Sequence, residues 1–323
     1  MKDYKTFEQG EERNGGEDFF RSVSVVIPTL NAEKELEELL EGLEKQTLAP
    51  GEILIIDSGS EDQTKKIAGR HERVQIREIP REQFNHGGTR HRAFSLTTGE
   101  IVVFMTQDAV PANERLLERL TAPLREEKTV ASYARQIPKA DASPRERLVR
   151  AFNYPEKSER HTKEDIPAKG IKTFFLSDVC AGYRRKEYEE LGGFETDLRS
   201  NEDMLYAAGA IRNGYAVAYA ADAEVRHSHN LTLKEQYRRN RLQGYEIERH
   251  RDLLGNTSST GEGLAMLKEA AGGLLKQGRL LSIAGLIADC AARYLGSRAG
   301  KREYRKDVKA SEKKRADFTD LRT

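Results

Sequence analysis

VSVVIPTLNAEKELEELLEGLEKQTLAPGEILIID, residues 23–57, changes its hydrophobic period twice. The opening run is almost continuously apolar and β-branched, the composition of a strand covered on both faces. Leu36, Leu39, Leu40 and Leu43 then recur at helical spacing with acids and lysines between them, which makes an amphipathic helix able to cover a sheet. EILIID returns to strand character and ends at Asp57. Strand, helix and strand in that order predict βαβ units and an α/β fold built on a mostly parallel sheet flanked by helices.

The pattern continues outward. Ser60 and Gln63 have capping-box spacing for a short helix to about Arg70. VQIREI (74–79) reads as a third strand, HGGTRHRAFSLTTG (86–99) as a loop and helix, and IVVFM (101–105) as a fourth strand stopping just before Gln107 and Asp108. From about 138 to 230 the signal is less regular: TFFLSDV (173–179) is a strand candidate, RRKEYEEL (184–191) a helix, GGF a turn, and a further helix begins near Asn201. After His229 the chain is helical and charged, with LLSIAGLIADCAARYL (280–295) as its one apolar stretch before a basic tail. This divides the chain into an N-terminal tail (1–21), an α/β domain (22–230, halves 22–137 and 138–230) and a helical C-terminal extension (231–323).

Composition narrows the function classes. Lys and Arg number 54 against 53 Asp and Glu, so no global field draws the chain to nucleic acid. Cys180 and Cys290 stand far apart with no metal-ligand spacing, which suits a reducing, cytoplasmic compartment. The charged N-terminus lacks the apolar run of a signal peptide or membrane span.

In open parallel sheets ligands bind beyond the carboxyl ends of the strands, so the residues just after each strand carry the information. After the first strand stand Pro28, Thr29, Leu30 and Asn31; after the second, Asp57, Ser58, Gly59 and Ser60; after the fourth, Gln107 and Asp108. Asp57 either takes the imide N–H of a pyrimidine or caps a turn. Asp108 either holds a hard cation between phosphates or turns the chain before Pro111. Gly87 and Gly88 let backbone N–H groups approach an anion beside Arg90 and Arg92, or make an ordinary loop. Asp203, beside Glu202 at a helix start, is placed as a general base, or with Ser200 as a cap. His227 and His229, two residues apart, face one side, as a metal or phosphate site requires, and imidazole favours Mn²⁺ over Mg²⁺.

Taken together, VSVVIPTLN, IIDSGSEDQT, the QD after a fourth strand, and GGF followed by NED and VRHSH resemble the family-2 glycosyltransferases of GT-A (Rossmann-like) fold, over residues 22 to about 230. FNHGGTR, TQDAVP, SDVCAGYRR and HSHNLTLKEQYRR resemble its bacterial rhamnosyltransferase branch, which uses dTDP-β-L-rhamnose and builds cell-surface polysaccharide. The resemblance implies a donor half (22–137) and an acceptor half (138–230), with Pro28, Thr29, Asn31 and Asp57 on the nucleoside. It further implies Arg90 against the donor, Asp108 with His227 or His229 on a divalent metal (Mg or Mn), Asp203 as catalytic base, and Glu202 orienting base or acceptor. Where a DxD triplet is common this chain has Gln107, Asp108 and Ala109. Cys180 and His91 stand where Asn is common, departures that bear on the acceptor.

The expected reaction is a single displacement, in which Asp203 takes the proton of an acceptor hydroxyl as a nucleotide diphosphate departs. A UDP-hexose or UDP-N-acetylhexosamine donor keeps the same fold; a non-catalytic nucleotide-sugar binder is a second class. A nucleotidyltransferase would carry a glycine- and basic-rich loop where this chain has PTLNAEKE. The acceptor is a saccharide or lipid-linked sugar. In 280–295, the stripe Ile283, Leu286, Ile287, Cys290 and Tyr294 packs on the catalytic domain or on a second subunit of a homo-oligomer, or lies on the inner face of the membrane.

Overall fold

The computed structural model describes residues 22–255 and 260–320, so the N-terminal tail expected over residues 1–21 lies outside the described residues. In chain order the first half comprises β1 (Val23–Thr29), α1 (Leu36–Glu44), β2 (Glu52–Asp57), α2 (Thr64–Ala68), β3 (Val74–Glu78), α3 (His86–Ser95), β4 (Ile101–Met105), β5 (Val110–Pro111), α4 (Leu116–Thr121) and β6 (Thr129–Ile137). There follow α5 (Pro144–Asn153), β7 (Glu159–His161), α6 (Ile166–Lys169), β8 (Cys180–Arg184), α7 (Arg185–Glu190), α8 (Glu202–Arg212) and β9 (Ala216–Arg226). The extension is α9 (Leu233–Arg249), α10 (Arg251–Leu254), α11 (Thr260–Lys276) and α12 (Leu280–Asp320).

One nine-stranded sheet runs β3-β2-β1-β4-β8-β6-β9-β5, with β7 added on β9. β1, β2, β3 and β4 are mutually parallel, as the opening stretch predicts, and β6 pairs parallel with β9. β8 runs antiparallel between β4 and β6, and β5 and β7 run antiparallel to β9, so the sheet is mixed. Side-chain alternation sends Val26, Leu54, Ile56, Val102 and Phe104 into one core, and Val25, Ile27, Ile53, Ile55 and Val103 into another with Leu36, Leu39, Leu40 and Leu43 of α1.

Three local expectations are corrected. TFFLSDV is not a strand: residues 170–174 form a 3-10 turn that buries Thr173 and Phe174, and the strand is the next segment, CAGYR. A buried turn and a buried strand give the same aperiodic apolar run. The Ser60–Gln63 box does not form, because Ser60 Oγ donates to Asp57 and Gln63 caps α2 without a side-chain bond. α8 likewise starts without a Ser200 cap, on Asn201 in the left-handed region (φ 67°).

The extension is attached in two ways. Met266, Ala270, Leu274 and Leu286 form a third apolar cluster with Val149 of α5. α12 also lies along α9 on a seam of glycines. A Cβ at Gly300 would sit 1.9 Å from the Arg241 carbonyl oxygen, one at Gly296 2.4 Å from that of Tyr237, and one at Gly244 2.3 Å from that of Ser297. The two backbones touch where those side chains are missing.

Candidate active site

The ends of β1, β2 and β4 are tied together by their own side chains. Asp57 is buried and its carboxylate accepts from Thr29 Oγ1 (2.9 Å), Ser60 Oγ (2.5 Å), Ser60 N (2.8 Å) and Gly59 N (3.2 Å). Asn31 N donates to Ser60 Oγ, so one bond network holds both loops. Gln107 explains itself here: its Oε1 accepts from Leu30 N (2.7 Å) and its Nε2 donates to Leu30 O (3.1 Å). An ionised carboxylate only accepts and could make half of that clamp. Pro28 is half-buried at the same edge.

Asp108 leaves β4 one residue later and meets the end of β9. Its Oδ2 lies 3.2 Å from His229 Nε2 and 3.5 Å from His227 Nε2, and the three potential ligand atoms lie within 4.8 Å of one another. His227 is buried, and its Nδ1 is 2.9 Å from Gln136 Oε1, an oxygen that also accepts from Arg150. Gln136 Oε1 is the nearer partner of Nδ1, with Arg150 at 3.4 Å, and with the hydrogen on Nδ1 the Nε2 atom turns a lone pair toward a carboxylate oxygen. Two acceptors facing each other need a cation between them. Burial pushes the His227 imidazole down to about 3, although Asp108 pulls it the other way, so a proton is a poor candidate for that cation near neutral pH. Burial would raise the Asp108 carboxyl, but His227 and His229 when protonated, a hydrogen bond from Thr106 and Lys139 hold it below the usual carboxylate range. One oxygen and two nitrogens, with a second residue orienting a ligating imidazole, fit a divalent transition ion.

The second group of charges is buried around Arg90. Its guanidinium lies 3.0 Å from Glu202 Oε1 and 3.4 Å from Asp178 Oδ2, and also donates to the His86 carbonyl. The residue expected against a ligand thus has a guanidinium already engaged with protein groups. Gly87, expected near phosphate, packs in the first turn of α3, where a Cβ would stand 2.3 Å from the Glu195 carbonyl oxygen. Asp203 Oδ2 accepts from Asp178 N (3.1 Å) and Oδ1 from Met204 N (2.7 Å). Burial, then neighbouring Glu202, push Asp203 up to about 6 against those bonds and Arg90. Asp178 goes further: burial and the adjacent Asp203 and Glu202 raise it well above the usual range despite Arg90, and Tyr183 Oη donates to it at 2.5 Å.

A cavity of about 190 Å³ lies between the domain and the extension, lined by His227, His229, Arg150, Tyr154, Arg239 and Arg293. Asp108 reaches this cavity through His227 and His229, and Asp203 acts electrostatically on two of its lining residues, Tyr154 and Arg239. Pro28, Thr29, Asn31 and Asp57 belong to the neighbouring strand-end loops and not to this cavity. Sequence reasoning missed Asp178, Gln136, Arg150, Arg239 and Arg293. Asp178 and Arg239 fall inside SDVCAGYRR and HSHNLTLKEQYRR, stretches that were informative as wholes; Gln136 and Arg150 carry no local signal. Cys180 is buried in β8, its thiol pushed up by burial, and His91 packs on Tyr188.

Residues 24–192 match the model of the family described as Glycosyl transferase family 2. The chain is 40% identical over 218 residues to the O-antigen chain rhamnosyltransferase RfbN of Salmonella typhimurium, covering 67% of this chain and 69% of that one. It is 41% identical over 220 residues to the O-antigen chain rhamnosyltransferase WbaN of Salmonella anatum, covering 68% and 70%. Among solved structures it is similar to the mannosyltransferase PcManGT from Pyrobaculum calidifontis in complex with GDP-Man and Mn²⁺, at TM-score 0.56 and 20% identity over 87% of this chain and 84% of that one.

Proposed function

The chain belongs to glycosyl transferase family 2 and has the GT-A fold, and from that premise we propose that it moves L-rhamnose, with inversion, from dTDP-β-L-rhamnose to a hydroxyl of a cell-surface polysaccharide or lipid-linked acceptor. The observation that carries the reading is Asp203, a carboxylate pushed to about 6, fixed by two backbone N–H bonds and felt by Tyr154 and Arg239 of the cleft that His227 and His229 also line. A base poised near the working pH takes a proton at modest cost and is still largely ionised at pH 7.

Asp203 takes the proton from the acceptor hydroxyl as its oxygen attacks the anomeric carbon, and the bond to the nucleotide diphosphate breaks on the opposite face. Glu202, held by Arg90, keeps the start of α8 in place. The nucleoside lies at the loops of Pro28, Thr29, Asn31 and Asp57, and its imide N–H competes for an Asp57 oxygen that Thr29 and Ser60 now occupy. Asp108, His227 and His229 hold a divalent ion, Mn²⁺ or Mg²⁺, which when bound neutralises charge growing on the leaving diphosphate. Arg239, for which no hydrogen bond or ion pair is found among the described residues, offers a second positive group to the same charge. The enzyme works at the cytoplasmic side, peripheral to the membrane.

Competition among dTDP-rhamnose, dTDP-glucose and UDP-glucose tests the donor. Asp57 accepts the same N–H from thymine and uracil, so the sugar dominates selectivity; the C6 substituent alone is worth about 10²-fold at most, and sugar configuration adds to it in favour of dTDP-rhamnose. Preferential binding of UDP-glucose would overturn the rhamnosyl assignment and leave the base assignment standing.

A further inference from the structure

α12 is long and apolar enough over Leu280–Glu312 to cross a membrane by length and composition alone. Its packing opposes that. The inward face buries Leu286, Gly296 and Gly300, together with Asp289, which is paired with Arg145 and Arg293. The outward face has a different order. From residue 280 to 306 its exposed positions read Leu280, Leu281, Ala284, Ile287, Ala291, Tyr294 and Leu295, then Arg298, Arg302, Arg305 and Lys306. No acid stands among these positions, and of the basic ones Arg305 is paired with Glu248 of α9. Leu281 is 91% exposed, and Leu275 at the end of α11 adds 60% beside the same turn.

We infer that this outward face of α12 is a docking surface for an anionic lipid bilayer, with the apolar half among the acyl chains and the basic half on the headgroups. Charge decides between occupants. A second copy of this chain would bring arginines onto an identical acid-free strip, whereas acidic headgroups complement it. Arg293 of the same helix lines the cavity while Tyr294 and Leu295 face outward, so cleft and strip lie across one helix from each other, about 10 Å apart. A surface-docked helix would therefore bring the cleft beside the headgroups. The inference deepens the proposed transfer to a lipid-linked acceptor and rests on it for its purpose, yet binding is read without donor or acceptor, so the two fail separately.

The test is flotation of the full chain with vesicles of phosphatidylcholine alone or with phosphatidylglycerol. The intact protein floats with phosphatidylglycerol at low salt and is released as salt rises. Leu281→Glu with Ile287→Glu abolishes flotation, and Arg298→Glu with Arg302→Glu lowers partitioning roughly fivefold or more per side chain. Both double variants keep donor hydrolysis in solution, which shows that they fold. Deleting the extension is not a clean test, because it removes Arg293 from the cleft. No flotation by the intact chain, equal flotation by the leucine–isoleucine variant, a dimer split by that variant in place of vesicle binding, or bound protein resisting alkaline extraction would each overturn the inference.

Discussion

Asp108, paired with the cleft-lining His227 and His229, and Asp203, in the first turn of α8, are driven in opposite directions. Around Asp108 the neighbours are two imidazoles and Lys139, and the carboxyl is held low. Around Asp203 a single guanidinium faces three carboxyl groups, Asp178, Glu202 and Asp203 itself, in a buried setting that cannot ionise them all freely. The same side chain is thus kept as a permanent anion at one place and as a proton acceptor at the other. Pairs of groups whose surroundings push them apart mark a division of labour in acid–base sites. Under the proposed roles the contrast would separate the holder of a cation from the group that exchanges a proton.

The comparison breaks most sharply at Asp203. Asp203→Asn should lower turnover by about 10²–10⁴-fold with donor affinity nearly unchanged, measured by initial rates and donor titration. Near-normal turnover removes Asp203 as base. Asp108→Ala should cost about 10²–10³-fold and resist rescue by added Mn²⁺, on the scale of losing one stabilising group for the leaving charge. Full activity of the intact enzyme in excess chelator would instead hand that task to Arg239. Gln136→Ala frees the His227 ring and should weaken metal affinity about 10–100-fold with donor binding in chelator unaffected.

The pH profile sharpens the comparison further. Turnover should rise with pH through about 6 as Asp203 ionises, falling about tenfold per unit below that, as one ionisation requires. The sign for stability is opposite: the native state holds this proton more tightly than the unfolded chain, so Asp203 detracts from stability above about 6, and the penalty is relieved as pH falls toward the unfolded value of about 3.9. Asp178→Asn has the smallest expected effect. Burial and the neighbouring Asp203 and Glu202 favour the neutral form of Asp178, which the amide copies, so the midpoint should stay; a clear drop would mean that the charged form of Asp178 itself raises Asp203.

The sequence was most readable where one periodic signal matched one structural task. Leu36, Leu39, Leu40 and Leu43 could only be a helix on a sheet, and Asp57 and Asp108 could be found because strands end where β-branched runs end. The family resemblance placed Asp203. Gln107 was noticed as a departure but its role was not legible, because the clamp on Leu30 joins residues 77 apart. The positive lining of the cleft comes from α5, α9 and α12, whose arginines look like solvated surface until the helices are packed. Asp178 was hidden by the misplaced strand: a residue read as strand interior is in fact in the turn that delivers its N–H to Asp203.

The glycines at 244, 296 and 300 allow neither helix of the seam to slide past the other, since any shift brings backbone onto side chain. α9 and α12 therefore move as one strut, and the strut carries Arg239 and Arg293 on one side and the exposed strip on the other. With that strip resting on a surface, the cleft stands at a fixed height above it. On the inferred docking the enzyme would measure its substrate as a ruler does: a hydroxyl presented at that height would be reached, and the same hydroxyl one sugar nearer to or farther from its anchor would be passed over.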